Sequence, residues 1–407
     1  MYLCKKLNDM KDIAIYTLTS ELHDAEAVGN MTNDFLASLQ TEYDLKGDNF
    51  ADYGMHTLNL IFVRTGGTEG IFRRLLPQLQ AQSDKPFYLL TSGKSNSLAA
   101  SMEILSYLRQ NNLKGEIIHG SADYIQRRIN LLVNAGRALQ QLDGSLLGIV
   151  GKPSDWLISS SFDRDKVRER LGILLEDIDM QELLDVVSSI PVNDKTEEAV
   201  PSETIGKALP GALRIYEGLK QIVGRHQLQG FTIRCFDLLT ALRNTGCIAL
   251  AKLNAEGIVS GCEGDVPAMI SMKIAQALTG LSGFQANPAS INPETGEITF
   301  AHCTIPLNMV ERYELDTHFE SGIGVGIRGF MKEGPLTIFK VSGDLSRSFV
   351  AEGELVRNMA KPDLCRTQQV IQLDEPEKAA YFLTNPIGNH HIILPGRWRE
   401  ALEEIVK

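Results

Sequence analysis

The chain of 407 residues carries 51 acidic and 40 basic side chains, a net charge of -11 with no Lys/Arg cluster, which argues against a partner bound through nucleic-acid phosphates. Hydrophobic residues make up 43% and charged residues 22%. That is the balance of an ordinary globular protein, and no window approaches the ~18 uninterrupted apolar residues of a membrane span. Neither nucleic acid nor membrane is an expected partner.

The length predicts two or three domains. The N-terminal stretch MYLCKKLNDMKDIAIYTL has charges but no apolar run and no cleavage site, so no signal peptide is expected. Cys4, Cys235, Cys247, Cys262, Cys303 and Cys365 form no close pair and no CxxC. This excludes a zinc ribbon and reads as reduced thiols in a cytoplasmic protein.

Along the first ~140 residues strand and helix signals alternate, as expected for βαβ units. DIAIYTL, TLNLIFVRTGG, PFYLLTSG and KGEIIHG read as strands. AVGNMTNDFLASLQTEY, TEGIFRRLLPQLQAQ and NSLAASMEILSYLRQNN read as the helices between them. No GxGxxG follows any of these strands, so no dinucleotide site is expected.

YIQRRINLLVNAGRALQQL predicts a helix leading to the strand in GSLLGIVGKPSDWLISS, whose loop carries Lys152, Ser154, Asp155 and Trp156. IPVNDKTEEAVPSE reads as a solvated loop, and a helix through Arg214 to Leu228 follows. Two more strand–helix units come next: GFTIRCFD ends on Asp237 and GIVSGCEGD on Asp265. From about Thr299 the pattern becomes period-two strands with turns, in GIGVGIRGF, GPLTIFKVSGD, SFVAEGELV, TQQVIQLD and HHIILPG, before a short closing helix.

The fold class expected is therefore α/β, with two Rossmann-like, doubly wound and mostly parallel domains followed by a β-rich, barrel-like C-terminal domain. Its boundaries are 1–142, 143–298 and 299–407.

Ligands in open α/β sheets bind beyond the carboxyl ends of the strands. Asp237, Glu263 and Asp265 fall at such ends on two strands of one domain. Three carboxylates at one edge repel unless a cation or protons sit among them, and an oxygen-rich set suits Mn²⁺ or Mg²⁺. Asp265 also precedes Val266-Pro267, an arrangement that caps a helix, and Asp237 suits the first turn of one. A charged residue such as Glu263 directly after an apolar strand is costly without a partner. Of eight histidines, four come after residue 300: His302, His318, His390 and His391. The last two form a pair at a strand start, where one packs inward and one faces solvent, or one serves a site.

Taken together, RCFD, CEGDVPA, AHCTIP and GNHH resemble the L-fucose/L-arabinose isomerase superfamily, with the likeness best from Phe231 to Gly396. The resemblance implies an aldose–ketose isomerase acting on a monosaccharide with a divalent metal, usually Mn²⁺, assembled as a homo-oligomer, a trimer or hexamer. It places a ligand that is also the base on Asp237, further ligands on Asp265 and on His390 or His391, and an additional one on His302. The family's base is commonly Glu, and Asp237 is one methylene shorter. The implied chemistry moves a proton between C1 and C2 through an enediol, with Glu263 as acid or as a partner orienting a ligand. Lys152, Trp156 and Arg234 are candidates for contacting the sugar. A non-catalytic sugar-binding or sensor protein and a metal-dependent carbohydrate lyase are the competing readings.

Overall fold

The structure, a computed structural model, describes residues 11–192 and 200–407. Cys4 and the middle of the loop read between Ile190 and Glu203 lie outside the described residues. The chain divides into two compact units, Met1–Arg137 and Ala138–Lys407.

In the first unit β1 (Ile13–Leu18), β2 (Asp44–Gly47), β3 (Leu58–Val63), β4 (Phe87–Leu90) and β5 (Gly115–Ile118) pair in parallel in the order β2-β1-β3-β4-β5. β1 and β3 are buried along their whole length, hence their continuous apolar sequences. Helices α1 (Ala25–Ala37), α2 (Glu69–Gln82), α3 (Ser97–Gln110) and α4 (Ala122–Leu142) connect the strands. Two separate clusters cover the sheet: one holds Tyr16, Phe72 and Phe87, the other Ile15, Leu36, Phe62 and Ile125. The edge strand β2, DLKG, lacks any apolar pattern and is not among the strands predicted from sequence.

The second unit opens with a four-stranded parallel sheet: β6 (Leu146–Val150), β7 (Leu174–Ile178), β8 (Gly230–Ile233) and β9 (Val259–Gly261), in the order β7-β6-β8-β9. Its helices are α5 (Arg164–Leu171), α6 (Met180–Ser189), α7 (Glu203–His226), α8 (Phe236–Ala241), α9 (Cys247–Ala255) and α10 (Val266–Thr279). The chain then forms β10 (Phe284–Asn292), β11 (Glu297–His302), β12 (Arg312–Asp316), β13 (Gly326–Phe330), β14 (Gly334–Val341), β15 (Ser348–Met359), β16 (Thr367–Leu373) and β17 (His391–Pro395), with α11 (Ala380–Thr384) and α12 (Arg399–Val406). Six of these strands close an antiparallel barrel in the order β10-β11-β16-β15-β14-β17, while β12 and β13 pair separately. Phe284, Phe300, Ile338, Ile371 and Ile393 fill its core.

Parallel sheets flanked by helices and a closed C-terminal barrel agree with the expected fold class. The barrel begins earlier than the change of pattern near Thr299. Its first strand, β10, contains Pro288, and its pairing with β11 shifts between Pro288 and Ser290. Proline inside a strand masks the period-two signal and is tolerated at such a bulge. Gln285 and Ser271 make two of the contacts that join sheet and barrel. The Gln285 amide on β10 accepts from Cys262 N at 2.8 Å and donates to Cys262 O at 3.3 Å. Ser271 Oγ on α10 accepts from Val341 N at 3.1 Å.

At the end of α7, His226 faces two carboxylates, with Nδ1 2.8 Å from Glu176 Oε1 and Nε2 3.2 Å from Glu182 Oε1. Burial lowers its pKa, but both glutamates raise it by more, and the net shift is upward. A raised folded-state pKa adds stability that is complete below the unfolded value of about 6.5 and is lost as pH rises through the folded one. His226→Gln should therefore lower the denaturation midpoint most at about pH 5 and least at about pH 9, as urea titrations at both pH values would show.

Candidate metal centre

β8 and β9 both deliver the chain to the carboxyl edge of the second sheet. After β9 the backbone runs through Glu263 at φ +63° and Gly264 at φ +70° before Asp265 opens α10. Glycine is required at 264, because a Cβ there would lie 2.6 Å from Lys152 O and 2.8 Å from Pro153 Cα. A left-handed glutamate is uncommon and persists where its surroundings fix it. Here Ser154 N donates to Glu263 O at 3.0 Å and Gly264 N to Ile233 O at 2.8 Å.

Asp265 is fully buried. Its Oδ1 accepts from Ala268 N at 2.8 Å as the cap of α10, and its Oδ2 lies 2.8 Å from His390 Nδ1. The buried Lys340 ammonium on β14 stands 3.6 Å from Oδ1 and has no hydrogen-bond partner among the described residues. Burial pushes the Asp265 carboxyl up, but Lys340 and then His390 outweigh it and hold its pKa at about 2. His390 responds in the opposite sense: burial lowers it, while Asp265 and Glu263 raise it to about 9. The Asp265–His390 bond turns Nε2 of His390 away from Asp265 and toward Glu263.

Glu263 Oε1 lies 3.6 Å from His390 Nε2 and 3.7 Å from His302 Nε2. His302, at the end of β11, has its Nδ1 2.9 Å from Thr304 Oγ1. One ligand atom from each of Glu263, His302 and His390 lies within 4.8 Å of the others. Burial raises the Glu263 pKa, but the two imidazoles outweigh it and keep the carboxyl well below the usual carboxylate range. The group fits a divalent cation. His390 Nε2 is buried without a hydrogen-bond partner among the described residues, and two imidazoles with one carboxylate leave further coordination positions open. It opens on a cavity of about 40 Å³ lined by Glu263, His302, Phe236, Leu239, Asn287, His318, Glu320 and five cysteines, Cys235, Cys247, Cys262, Cys303 and Cys365.

Of the residues singled out from sequence, Glu263, His302 and His390 come together, and Asp265 lies directly behind His390. Asp237 lies outside this group, on α8, with Oδ1 3.0 Å from Arg234 Nε. Arg234 also donates from Nη1 to Pro153 O and from Nη2 to Asp155 Oδ2, each at 2.8 Å. Lys152 is exposed. Trp156 Nε1 donates to Glu263 Oε2 at 2.7 Å. His391 is not in the group: it sits among Phe300, Phe349 and Phe382, with Nε2 3.0 Å from Tyr381 Oη, and burial lowers its pKa to about 3. Sequence reasoning assigned no role to Lys340, His318 or Glu320. A lysine inside the apolar strand pattern LTIFKV was the available signal for Lys340.

Asp265→Ala removes a helix cap and leaves Lys340 as an uncompensated buried charge, so it should cost about 3–5 kcal/mol. Adding Lys340→Met should recover most of that loss, measured as urea midpoints of the two variants.

No family model matches the chain. It is similar to the sulfoquinovose isomerases of Priestia aryabhattai and Priestia megaterium, each 24% identical over 262 residues, an overlap of 61% of this chain and 59% of that protein. The sulfoquinovose isomerase of Clostridium sp. (strain MSTE9) is 27% identical over 222 residues, 52% of this chain and 48% of its own length. The chain thus matches about half to three-fifths of the length of these curated relatives.

Proposed function

We propose that the chain is an aldose–ketose isomerase of the fucose/arabinose isomerase type, acting on a monosaccharide with a divalent cation, Mn²⁺, held by Glu263, His302 and His390. The observation that carries this reading is the buried two-histidine, one-carboxylate group opening on a cavity at the carboxyl edge of a parallel sheet. The partial likeness to sulfoquinovose isomerases supports the same class of reaction.

When bound, the cation supplies positive charge against the oxygens on C1 and C2 of the sugar. The chain's own groups do the rest. Asp265 holds His390 by Nδ1, which fixes the ring and reserves Nε2 for the centre. Thr304 does the same for His302. Phe236 and Leu239 form an apolar part of the cavity wall that limits water. Asp237 is the proposed base for the C2 proton. Arg234 occupies its Oδ1, which leaves Oδ2 to take a proton from one carbon and return it to the next through an enediol.

The test is incubation with Mn²⁺ in D₂O and a panel of neutral, 6-deoxy and 6-sulfonated aldoses. The reading predicts a ketose product carrying solvent deuterium, and a loss of about 10²–10⁴ in kcat for Asp237→Asn. Carbon–carbon cleavage, or sugar binding that survives chelation without conversion, would contradict the isomerase assignment. Full activity in Asp237→Asn would remove Asp237 as the base.

A further inference from the structure

A carboxylate can offer a cation one oxygen or two, and the choice decides how many positions remain for substrate. Glu263 divides its two oxygens between different neighbours. Oε1 faces the imidazoles of His390 and His302, at 3.6 and 3.7 Å. Oε2 accepts the indole N–H of Trp156 at 2.7 Å.

Trp156 contributes little to any core. It is 49% exposed and lies on the loop after β6, yet it is held firmly. Its ring meets Phe236 edge-on with centroids 4.7 Å apart. The same loop is anchored to the ends of both β8 and β9. Arg234 reaches Pro153 O and the Asp155 carboxylate, and the Ser154 amide donates to Glu263 O. A half-exposed indole clamped so that its single polar atom meets the outer oxygen of a buried carboxylate is poorly explained by packing.

We propose that Trp156 is a positioning residue of the metal centre, whose indole N–H holds Glu263 Oε2 and so commits Glu263 to the cation through Oε1. The proposal rests on the assignment of Glu263, His302 and His390 as the metal ligands. It replaces the expectation that Trp156 serves by contacting the sugar.

The test uses the full chain and Mn²⁺ alone, with free Mn²⁺ followed by electron paramagnetic resonance. Unaltered protein, Trp156→Phe, Trp156→His and His302→Gln are compared, and melting curves without metal confirm that each is folded. Loss of an orienting partner weakens metal binding by about 10–100-fold. That loss is expected for Trp156→Phe with an unchanged melting temperature, with much of the affinity regained in Trp156→His, which keeps a ring N–H. Equal affinity in Trp156→Phe and the unaltered protein would overturn the role of Trp156 while His302→Gln still reports on the site. Equal loss in the Phe and His variants would assign the effect to ring packing and also overturn it. If the unaltered chain binds no Mn²⁺, the ligand assignment fails and takes this proposal with it.

Discussion

A carboxylate removed from water must find its stabilisation within the protein, and the buried Asp265 finds it in three separate elements. The first turn of α10 supplies a backbone N–H, β14 supplies the Lys340 ammonium, and the residue before β17 supplies the His390 imidazole. One side chain therefore starts a helix of the parallel sheet and ties it to two adjacent strands of the barrel. Removing any of these partners leaves a charge stranded where the local dielectric is low. The arrangement of sheet edge against barrel, and with it the distance from Glu263 to His390, depends on that carboxylate remaining ionised.

The centre itself is assembled by backbone geometry as much as by side-chain type. The left-handed turn at Glu263 and Gly264 reverses the chain immediately after β9. It places one carboxylate toward the histidines and the next, two residues on, at the helix cap. Closure of the barrel sets the other half, because His302 ends β11 and His390 directly precedes β17. The consecutive residues His390 and His391 then leave the backbone on opposite sides. One imidazole joins charged groups and the other enters an aromatic pocket.

Much of this was legible in the sequence, and the parts that were not have identifiable causes. The buried parallel strands announce themselves as apolar runs, and the Asp-Val-Pro start of α10 is visible as a cap. The short polar edge strand β2 and the proline-bearing β10 carry no such pattern. Asp265 could be read as cap or as ligand because both uses favour the same residue; the structure gives it a cap bond and an orienting bond to His390. The choice between His390 and His391 depends on strand parity, fixed by the pairing of His391 with Ala286 across the sequence, which no local pattern records. Asp237 stood out by its position at a strand end, whereas the fork made by Arg234 to Asp155 and Asp237 is a long-range arrangement visible only in the fold.

The central claim is that Glu263, His302 and His390 form one metal centre, with Asp265 behind it as support. The most direct measurement is anomalous diffraction at the manganese edge from crystals grown with Mn²⁺. The account predicts a single strong peak among Glu263 Oε1, His302 Nε2 and His390 Nε2. A peak bound by Asp237, or directly by the Asp265 carboxylate without His302, would contradict it.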